Sequence, residues 1–455
     1  MKLAVIGGGG VRCILLAKSL AYAAPSVGLT DVVFMDNDEE KLNIFGKMAR
    51  ETSRRLAPSL NFSLTTDPVE AVRDADFVIT TIRVGQDKMR IADERIALKH
   101  DVLGQETTGA GGFSMAMRSI PVLVEYCELI RKYASPEVKV FNFTNPAGLV
   151  SQALREKGYD FTYGICDSPT GLLHTIADML HCDFSQLSTE CYGLNHLSFF
   201  KSICLDGKDI TQQLLADDRL YQQTDMRYFS KELAQHFGML LNEYLYYYFY
   251  REKAVDNVQN AGCTRGEMIE QINQSMIEEL KKLDPEKDFD ECVRVFEHWY
   301  GEREDRYMCN ETSVGNGREP FRLNLQKDDG GGYAGVALSY IKSVANNRPS
   351  EMILCVPNDG GIPELAPDDV VEITCRIDGS GHHVKPVGEV NEAALEMIRR
   401  VKYFERRAAH AILTRDKELA VEALMFHPLV NSYSLAKELV EEYIQSNEPF
   451  CPGWK

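Results

Sequence analysis

The chain lacks the features that mark membrane, secreted and nucleic-acid-binding proteins. No window approaches the roughly 18–20 consecutive apolar residues that a membrane-spanning helix requires. The 12 cysteines are scattered singly with no CxxC pair, as in a reducing compartment, and the apolar run before the first glycines is too short for a signal peptide. A formal net charge of −18 disfavours nucleic acid and anionic membranes as partners. We therefore expect a cytoplasmic protein.

A glycine-rich turn follows the first predicted strand and precedes a predicted helix. In dinucleotide-binding folds such glycines let backbone amides approach a pyrophosphate, and an acidic residue after the second strand binds the ribose. Gly7 and Gly9 occupy the first two places of that fingerprint, whereas Arg12 occupies the third. A simple tight turn is the alternative. We predict that Gly7, Gly9, Gly10 and Asp36 bind a dinucleotide cofactor.

The first part of the chain alternates predicted strands with predicted helices. The strands are expected at 3–6, 31–36, 62–65, 77–81, 138–142 and 161–165, and the helices at 14–23, 38–57, 88–100, 113–133 and 146–157. This alternation is typical of a doubly wound parallel sheet, whose ligands bind at the carboxyl ends of the strands. Polar candidates lie just past predicted strand ends, which places them on one surface: Arg83, Asn145, Cys166 and Asp167.

Beyond about residue 200 the alternation stops, and the pattern predicts an α+β region. Helices are expected at 228–252, 264–282, 285–301 and 333–345, a Gly/Asp-rich loop at 328–332, paired strands at 351–356 and 370–377, and three amphipathic helices at the end. At 455 residues the chain is too long for one ordinary core. We expect an α/β fold with a Rossmann-like NAD-binding domain over 1–195. An α+β domain over 196–455, for catalysis and oligomerisation, would pack against it.

Two segments, 163–169 and 192–198, present polar groups where β-like runs stop. Cys166 and His196 together offer a thiolate and an imidazole, a plausible start for a divalent metal site with open positions. The alternative for each, taken singly, is a core position, and Asp167 before Ser-Pro could equally be a helix N-cap.

Six ordered segments together resemble glycoside hydrolase family 4, the NAD- and metal-dependent glycosidases, and specifically its 6-phospho-β-glucosidase branch. They are residues 7–10, 104–112, 143–148, 166–169, 193–198 and 244–247. The resemblance implies NAD, a divalent metal that is usually Mn²⁺, and a 6-phosphorylated glucoside as substrate. It also implies oxidation of the sugar at C3 by NAD⁺, elimination, water addition and re-reduction. We expect a homodimer or homotetramer.

The resemblance also implies roles for individual residues. The metal ligands fall on Cys166 and His196, and the catalytic base on Tyr244. Asp167 corresponds to the general acid of those members that have one. Glu106 corresponds to a carboxylate that makes the tyrosine more basic. For Tyr244, packing within a tyrosine-rich helix is the alternative that the sequence leaves open.

Further positions match substrate contacts, and the anomer preference rests on local motifs. Arg90, Asn145 and Arg265 match substrate-contacting positions, with the arginines suited to a phosphate, and Asn195 is a fourth candidate. The Cys-Asp pair resembles the α-glucosidase members, whereas the surroundings of His196 resemble the β-glucosidase members. We predict a 6-phospho-β-glucosidase. The alternatives are a 6-phospho-α-glucosidase, α-galactosidase or α-glucuronidase, a malate- or lactate-like dehydrogenase, and a non-catalytic NAD-binding protein.

Overall fold

The computed structural model describes residues 1–315, 317, 320–328 and 334–455. The first 180 residues alternate strands and helices as the sequence predicts. In order the elements are β1 (Lys2–Ile6), α1 (Cys13–Val27), β2 (Asp31–Met35), α2 (Glu39–Lys41), a π-helical turn (Leu42–Gly46), α3 (Lys47–Leu56), β3 (Asn61–Thr65), α4 (Pro68–Val72), β4 (Phe77–Thr80), α5 (Gln86–Lys99), α6 (Gly109–Tyr133), β5 (Lys139–Asn142), α7 (Ala147–Glu156), β6 (Thr162–Gly164) and α8 (Ser168–Leu180).

The remainder combines antiparallel strands with helices. In order it contains a 3₁₀ turn (Phe184–Gln186), β7 (Leu187–Leu194), β8 (Leu197–Leu205), β9 (Lys208–Asp209), α9 (Thr211–Ala216), α10 (Leu220–Gln223), a 3₁₀ turn (Asp225–Tyr228), α11 (Lys231–Phe237), β10 (Leu240–Leu241), a 3₁₀ turn (Glu243–Leu245), α12 (Tyr246–Phe249), α13 (Arg251–Ala261), α14 (Arg265–Leu280), α15 (Phe289–Asp305), α16 (Cys309–Thr312), α17 (Gly335–Asn346), β11 (Ser350–Pro357), β12 (Val370–Asp378), β13 (Gly381–Val384), α18 (Glu392–Thr414), α19 (Lys417–Phe426) and α20 (Tyr433–Asn447).

One continuous sheet joins both parts of the chain. Its parallel half has the order β3-β2-β1-β4-β5-β6, which is the doubly wound dinucleotide-binding order. The sheet continues antiparallel through β11, β12, β7, β8 and β10. The predicted boundary between residues 195 and 196 falls in the turn of the β7–β8 hairpin. The predicted fold class is confirmed, while the division into two domains stays a prediction.

The parallel strands are buried on both faces because helices cover each side of the sheet. Successive side chains of a strand point in opposite directions and therefore enter different core clusters. Leu3 and Val5 of β1 pack in the large core cluster that includes α1, whereas Ala4 and Ile6 pack in a second cluster that includes α4. Within the described residues, no helix has the length and apolar character needed to cross a membrane.

The predicted long helix over 228–252 is wrong. The chain leaves α11 at Gly238, whose φ of 67° is in the left-handed region that ends helices. It then forms β10, which pairs with β8, and Asn242 caps the next 3₁₀ turn by accepting a hydrogen bond from the backbone NH of Tyr244. Tertiary pairing thus overrides the helical tyrosine spacing. The predicted loop at 328–332 lies outside the described residues except for Asp328, and so does Tyr333.

A buried arginine ties three helices together behind the carboxyl ends of the parallel strands. The side chain of Arg118 in α6 is fully buried and donates to both carboxylate oxygens of Asp93 in α5, at 2.7 and 3.1 Å. It also donates to Asn447 of α20 at 2.7 Å and to the carbonyl of Val84 at 3.1 Å. These contacts fix the position of α6, and residues 104–108 lead directly into the N-terminus of that helix.

Replacing Asp93 with alanine should lower the free energy of unfolding by about 3–5 kcal/mol, because the Arg118 guanidinium would stay buried without its counter-charge. Urea denaturation measures the change. The control is Glu441→Ala, which removes the exposed ion pair between Glu441 of α20 and Lys417 and should cost about 0–1 kcal/mol. Equal losses in the two variants would contradict this interpretation.

Candidate active site

A single large cavity of about 1120 Å³ opens at the carboxyl ends of the parallel strands. It is where ligands bind in doubly wound sheets. Twelve of the thirteen residues predicted for the site line it, namely Gly7, Gly9, Gly10, Asp36, Arg90, Glu106, Asn145, Cys166, Asp167, His196, Tyr244 and Arg265. Residues separated by up to 258 positions therefore share one cavity.

The glycine turn is closely packed against its neighbours. Gly7 has a φ of 100°, and a Cβ there would lie 2.4 Å from the carbonyl oxygen of Thr81. The backbone NH of Gly9 donates to Asp36 Oδ2 at 2.8 Å, and a Cβ at Gly9 would meet the same oxygen at 3.0 Å. Only glycine fits at position 7, and a side chain at position 9 would displace the Asp36 carboxylate. The turn, the N-terminus of α1 and Asp36 at the end of β2 therefore fit a dinucleotide.

Cys166 and His196 meet although they come from different halves of the sheet. Cys166 follows β6, while His196 is the second residue of the two-residue turn between β7 and β8. His196 Nε2 lies 3.5 Å from Cys166 Sγ, and Nδ1 lies 2.6 Å from Thr107 Oγ1. The φ of His196 is 62°, a left-handed conformation that is uncommon for a residue other than glycine. Such conformations persist where the surrounding structure holds them, often at functional sites.

The thiol and imidazole fit a shared divalent cation. With metal–sulfur and metal–nitrogen distances of about 2.3 and 2.1 Å, two ligands of one ion lie roughly 3–3.6 Å apart, which brackets the observed 3.5 Å. Among the residues that the structure describes, no group of three or more His, Cys, Asp and Glu side chains is arranged to hold a metal. Cys166 and His196 would therefore supply two ligands and leave other coordination positions open.

Burial controls the protonation of both ligands. It lowers the pKa of His196 to about 3, so the imidazole is neutral and has a lone pair available. Burial, together with the carboxylates of Glu372 and Asp167, raises the pKa of the Cys166 thiol well above its ordinary value. A bound cation opposes that shift because a coordinating thiol is deprotonated.

Tyr244 lies directly against His196. Its ring stacks on the His196 ring with centroids 3.7 Å apart and planes 9° apart. The hydroxyl of Tyr307 donates to the Tyr244 hydroxyl at 2.9 Å. Burial and the neighbouring Glu243 raise the pKa of Tyr244 well above its ordinary value. The phenol therefore needs a cation nearby to act as a base near neutral pH.

Glu106 is held between two arginines at one side of the cavity. Its carboxylate forms ion pairs with Arg83 and, at 3.2 Å, with Nη1 of Arg90. Burial alone would raise the pKa of Glu106, but the two guanidinium groups hold that pKa well below its ordinary range. The carboxylate is therefore ionised, and its charge raises the pKa of Tyr244.

The cavity also contains two arginines that have no carboxylate partner among the residues that the structure describes. Arg265 directs its guanidinium to the carbonyl oxygens of Arg306 and Arg303, at 3.0 and 2.9 Å. In the described part of the chain the guanidinium of Arg303 has no hydrogen bond or ion pair, and burial with the neighbouring Arg12 lowers its pKa to about 10. Arg90, in contrast, is paired with Glu94 at 2.8 Å and with Glu106. Arg265 and Arg303 therefore offer an anion site.

Two predicted residues have contacts that differ from the simplest expectation. Asp167 occupies the N-cap position of α8, but its side chain makes no capping bond and instead pairs with Arg12 at 3.2 Å. Asn195 does not line the main cavity. Its amide donates to Glu372 Oε1 at 3.1 Å, beside a small second cavity.

Sequence reasoning missed Glu243, Arg303 and Tyr307 as cavity-lining residues. Glu243 accepts a hydrogen bond from Ser168 Oγ at 2.9 Å, and burial with Asp225 raises its pKa to about 8. Only its position next to Tyr244 could have indicated it. Arg303 and Tyr307 lie about 60 residues further along, with no local motif.

Comparisons with known proteins match the whole chain. A family model described as family 4 glycosyl hydrolase matches residues 2–182, and the model of the family 4 glycosyl hydrolase C-terminal domain matches residues 191–430. The 6-phospho-beta-glucosidase BglT of Thermotoga maritima is 31% identical over 453 residues, covering 99% of both chains. A 6-phospho-alpha-glucosidase of Lacticaseibacillus paracasei is 28% identical over 468 residues, covering 99% of this chain and 98% of the relative.

Solved structures agree with this match. The Thermotoga maritima 6-phospho-beta-glucosidase, solved with NAD and glucose-6-phosphate, superposes with a TM-score of 0.83 at 29% identity over 99% of both chains. The same enzyme with manganese, NAD⁺ and glucose-6-phosphate gives a TM-score of 0.81 at 29% identity over 99% of both chains. A 6-phospho-alpha-glucosidase from gut microorganisms, solved with NAD and glucose-6-phosphate, gives 0.81 at 26% identity, covering 100% of this chain and 99% of that one.

Replacing Glu243 with glutamine should change how stability depends on pH. The raised pKa means that Glu243 contributes stability below its ordinary pKa of 4.5, and that this contribution is lost as pH rises through about 8. The amide variant lacks this loss. The unfolding free energy of the variant minus that of the wild type should therefore rise by a few kcal/mol from pH 5 to pH 9. Urea denaturation at several pH values measures the difference, and the exposed Glu252→Gln should follow the wild type. A constant difference across this range would contradict the prediction.

Proposed function

The chain belongs to glycosyl hydrolase family 4, and we propose that it is a 6-phospho-β-glucosidase that uses NAD and a divalent cation such as Mn²⁺. The observation that carries the proposal is the single cavity lined by the glycine turn, the Cys166–His196 pair and the Tyr244 phenol. Its full-length relatives include 6-phospho-beta-glucosidases from three bacteria. We further propose a cytoplasmic homodimer or homotetramer with domains over 1–195 and 196–455.

The chain's own residues would hold the two cofactors. The amides of the glycine turn and the N-terminus of α1 would bind the pyrophosphate of NAD, with Asp36 at the ribose. Cys166 and His196 would hold the cation. When bound, NAD⁺ accepts hydride from C3 of the sugar and later returns it, while the cation acts as a Lewis acid toward the sugar oxygens.

Tyr244 would take the proton at C2 of the oxidised sugar. Its ring stacks on His196, so the phenol would lie beside a cation held there, and the charge of that cation would favour the phenolate. The ionised Glu106 acts in the opposite sense and makes that phenolate more basic. Asp167, paired with Arg12, is the proposed acid for the departing group.

The arginines would select a phosphorylated sugar. Among the described residues, the Arg265 guanidinium bonds only to backbone carbonyls, so its charge is available to a phosphate dianion. Arg303 adds a second positive charge to the same cavity. Arg90 is already paired with two carboxylates, so in this proposal it contributes less to phosphate binding than Arg265 and Arg303 do. Asn145, past β5, would bond a sugar hydroxyl.

A 6-phospho-α-glucosidase is the second candidate. It is favoured by the similarity to enzymes of that name over nearly the whole chain. Release of glucose 6-phosphate from chromogenic 6-phospho-β- and 6-phospho-α-glucosides, each with NAD⁺ and Mn²⁺, decides between them. A dehydrogenase would instead accumulate NADH on malate or lactate. Tight NAD⁺ binding with no turnover of either glucoside would indicate a non-catalytic protein.

The Tyr244→Phe variant should lose about 10²- to 10⁴-fold in turnover of the 6-phospho-β-glucoside, because the C2 proton would have no base. Initial rates with saturating NAD⁺ and Mn²⁺ measure the loss, and chelation should abolish the wild-type rate. Tyr246→Phe is the matched control, since Tyr246 is buried outside the cavity and its hydroxyl bonds to the carbonyl of Glu311. Full turnover by Tyr244→Phe would remove the phenol from the mechanism.

The Arg265→Met variant should weaken recognition of the phosphate by about 2–4 kcal/mol, which corresponds to roughly 30- to 1000-fold in kcat/KM. The control is Arg306→Met, because Arg306 pairs on the surface with Glu302 at 2.8 Å. Competition by inorganic phosphate should weaken in parallel in Arg265→Met. If both variants retain wild-type kcat/KM, Arg265 does not bind the phosphate.

A further inference from the structure

A chain of short hydrogen bonds leads from the 104–108 segment to the metal-binding edge of His196. The side-chain carbonyl oxygen of Gln105 accepts from the backbone NH of Thr107 at 2.6 Å and from the Thr107 hydroxyl, also at 2.6 Å. The oxygen of that hydroxyl lies 2.6 Å from Nδ1 of His196. Nε2, on the other side of the ring, faces the thiol of Cys166 at 3.5 Å.

The direction of these bonds determines the histidine tautomer. A threonine hydroxyl has one proton, and Gln105 receives it, so only lone pairs of the hydroxyl oxygen face His196. Nδ1 must therefore donate. In a neutral imidazole the proton on Nδ1 leaves Nε2 unprotonated, and this is the nitrogen that faces Cys166.

The contacts that hold the His196 ring in place leave this choice open. The β7–β8 turn fixes the position of the His196 backbone, and stacking on Tyr244 fixes the plane of the ring. Both contacts are indifferent to which nitrogen has the proton. The Cys166 sulfur at Nε2 can donate or accept, whereas the direction of the Thr107 contact at Nδ1 is set by Gln105.

We propose that Gln105 and Thr107 are positioning residues that hold His196 in the tautomer able to bind the divalent cation through Nε2. The inference rests on the proposed function, because it assumes that Cys166 and His196 share a cation. Outer partners of metal-binding histidines typically change metal affinity by 10- to 100-fold. The Gln105 amide oxygen thus acts on the cation through two intervening groups without touching it.

Thr108 provides a matched control within the same segment. It is buried to a similar extent as Thr107, with 6% and 8% exposed, but its hydroxyl pairs with Tyr248 at 2.5 Å and not with His196. Thr107→Val and Thr108→Val therefore make the same chemical change at adjacent buried sites. Only the first removes the acceptor for Nδ1.

The test is the Mn²⁺ dissociation constant of the NAD⁺-saturated full-length protein, measured by electron paramagnetic resonance of free Mn²⁺. Thr107→Val and Gln105→Leu should bind Mn²⁺ about 10- to 100-fold more weakly, whereas Thr107→Ser, Gln105→Glu and Thr108→Val should stay within about threefold of the wild type. Nitrogen-15 NMR of labelled histidines should show the proton of His196 on Nδ1 in the wild type and on Nε2 in Gln105→Leu.

The outcomes separate the inference from the proposed function. Suppose that the wild type binds Mn²⁺. If Thr107→Val then binds Mn²⁺ equally well, or Thr108→Val loses as much Mn²⁺ affinity as Thr107→Val, the positioning role of Gln105 and Thr107 is wrong and the enzyme proposal stands. If the wild type binds no Mn²⁺, both fall. Circular dichroism checks folding, and if Thr107→Val does not fold, Gln105→Leu with its Gln105→Glu counterpart gives the decision.

Discussion

The architecture depends on one close approach, where the parallel half of the sheet meets the antiparallel half. Gly164 of β6 pairs with Cys355 of β11, and a Cβ on Gly164 would lie 2.7 Å from the Cβ of Cys355 and 2.5 Å from Ser151 Oγ. Any larger residue would separate the strands. Cys166 follows Gly164 by two residues. In the sheet, β11 and β12 lie between β6 and β7, and the β7–β8 turn brings His196 to Cys166. The thiol and imidazole meet because this glycine lets the two halves form one sheet.

The charge on one side of the cavity differs from the charge of the whole molecule. The chain has a formal net charge of −18, yet five arginines line the cavity, namely Arg12, Arg83, Arg90, Arg265 and Arg303. Glu106 neutralises part of this charge on one side, while Arg265 and Arg303 keep theirs. Buried charges act more strongly than those in water, so the side of the cavity with Arg265 and Arg303 favours an anion although carboxylates line other parts of the same cavity.

The sequence predicted what repeats locally and missed what depends on distant contacts. Strand–helix alternation and the glycine turn fixed the parallel sheet, and residues past strand ends were brought together as expected. The helix predicted around Tyr244 failed because β8 pairs with β10, a contact that tyrosine spacing does not encode. Asn195 and His196 are neighbours, but a two-residue turn sends their side chains to different partners, Glu372 and Cys166. No periodicity in the sequence indicates which of the two side chains points toward the main cavity.

The stacked rings of His196 and Tyr244 have a consequence for how the molecule is switched on. With the roles proposed above, a cation held by the His196 imidazole would also lower the pKa of the phenol stacked on that ring, so loss of the cation would remove both functions. A molecule stripped of its ion would be missing its base along with its Lewis acid, and would be inert rather than slow. The supply of the ion would then set the number of working molecules and leave the speed of each one unchanged.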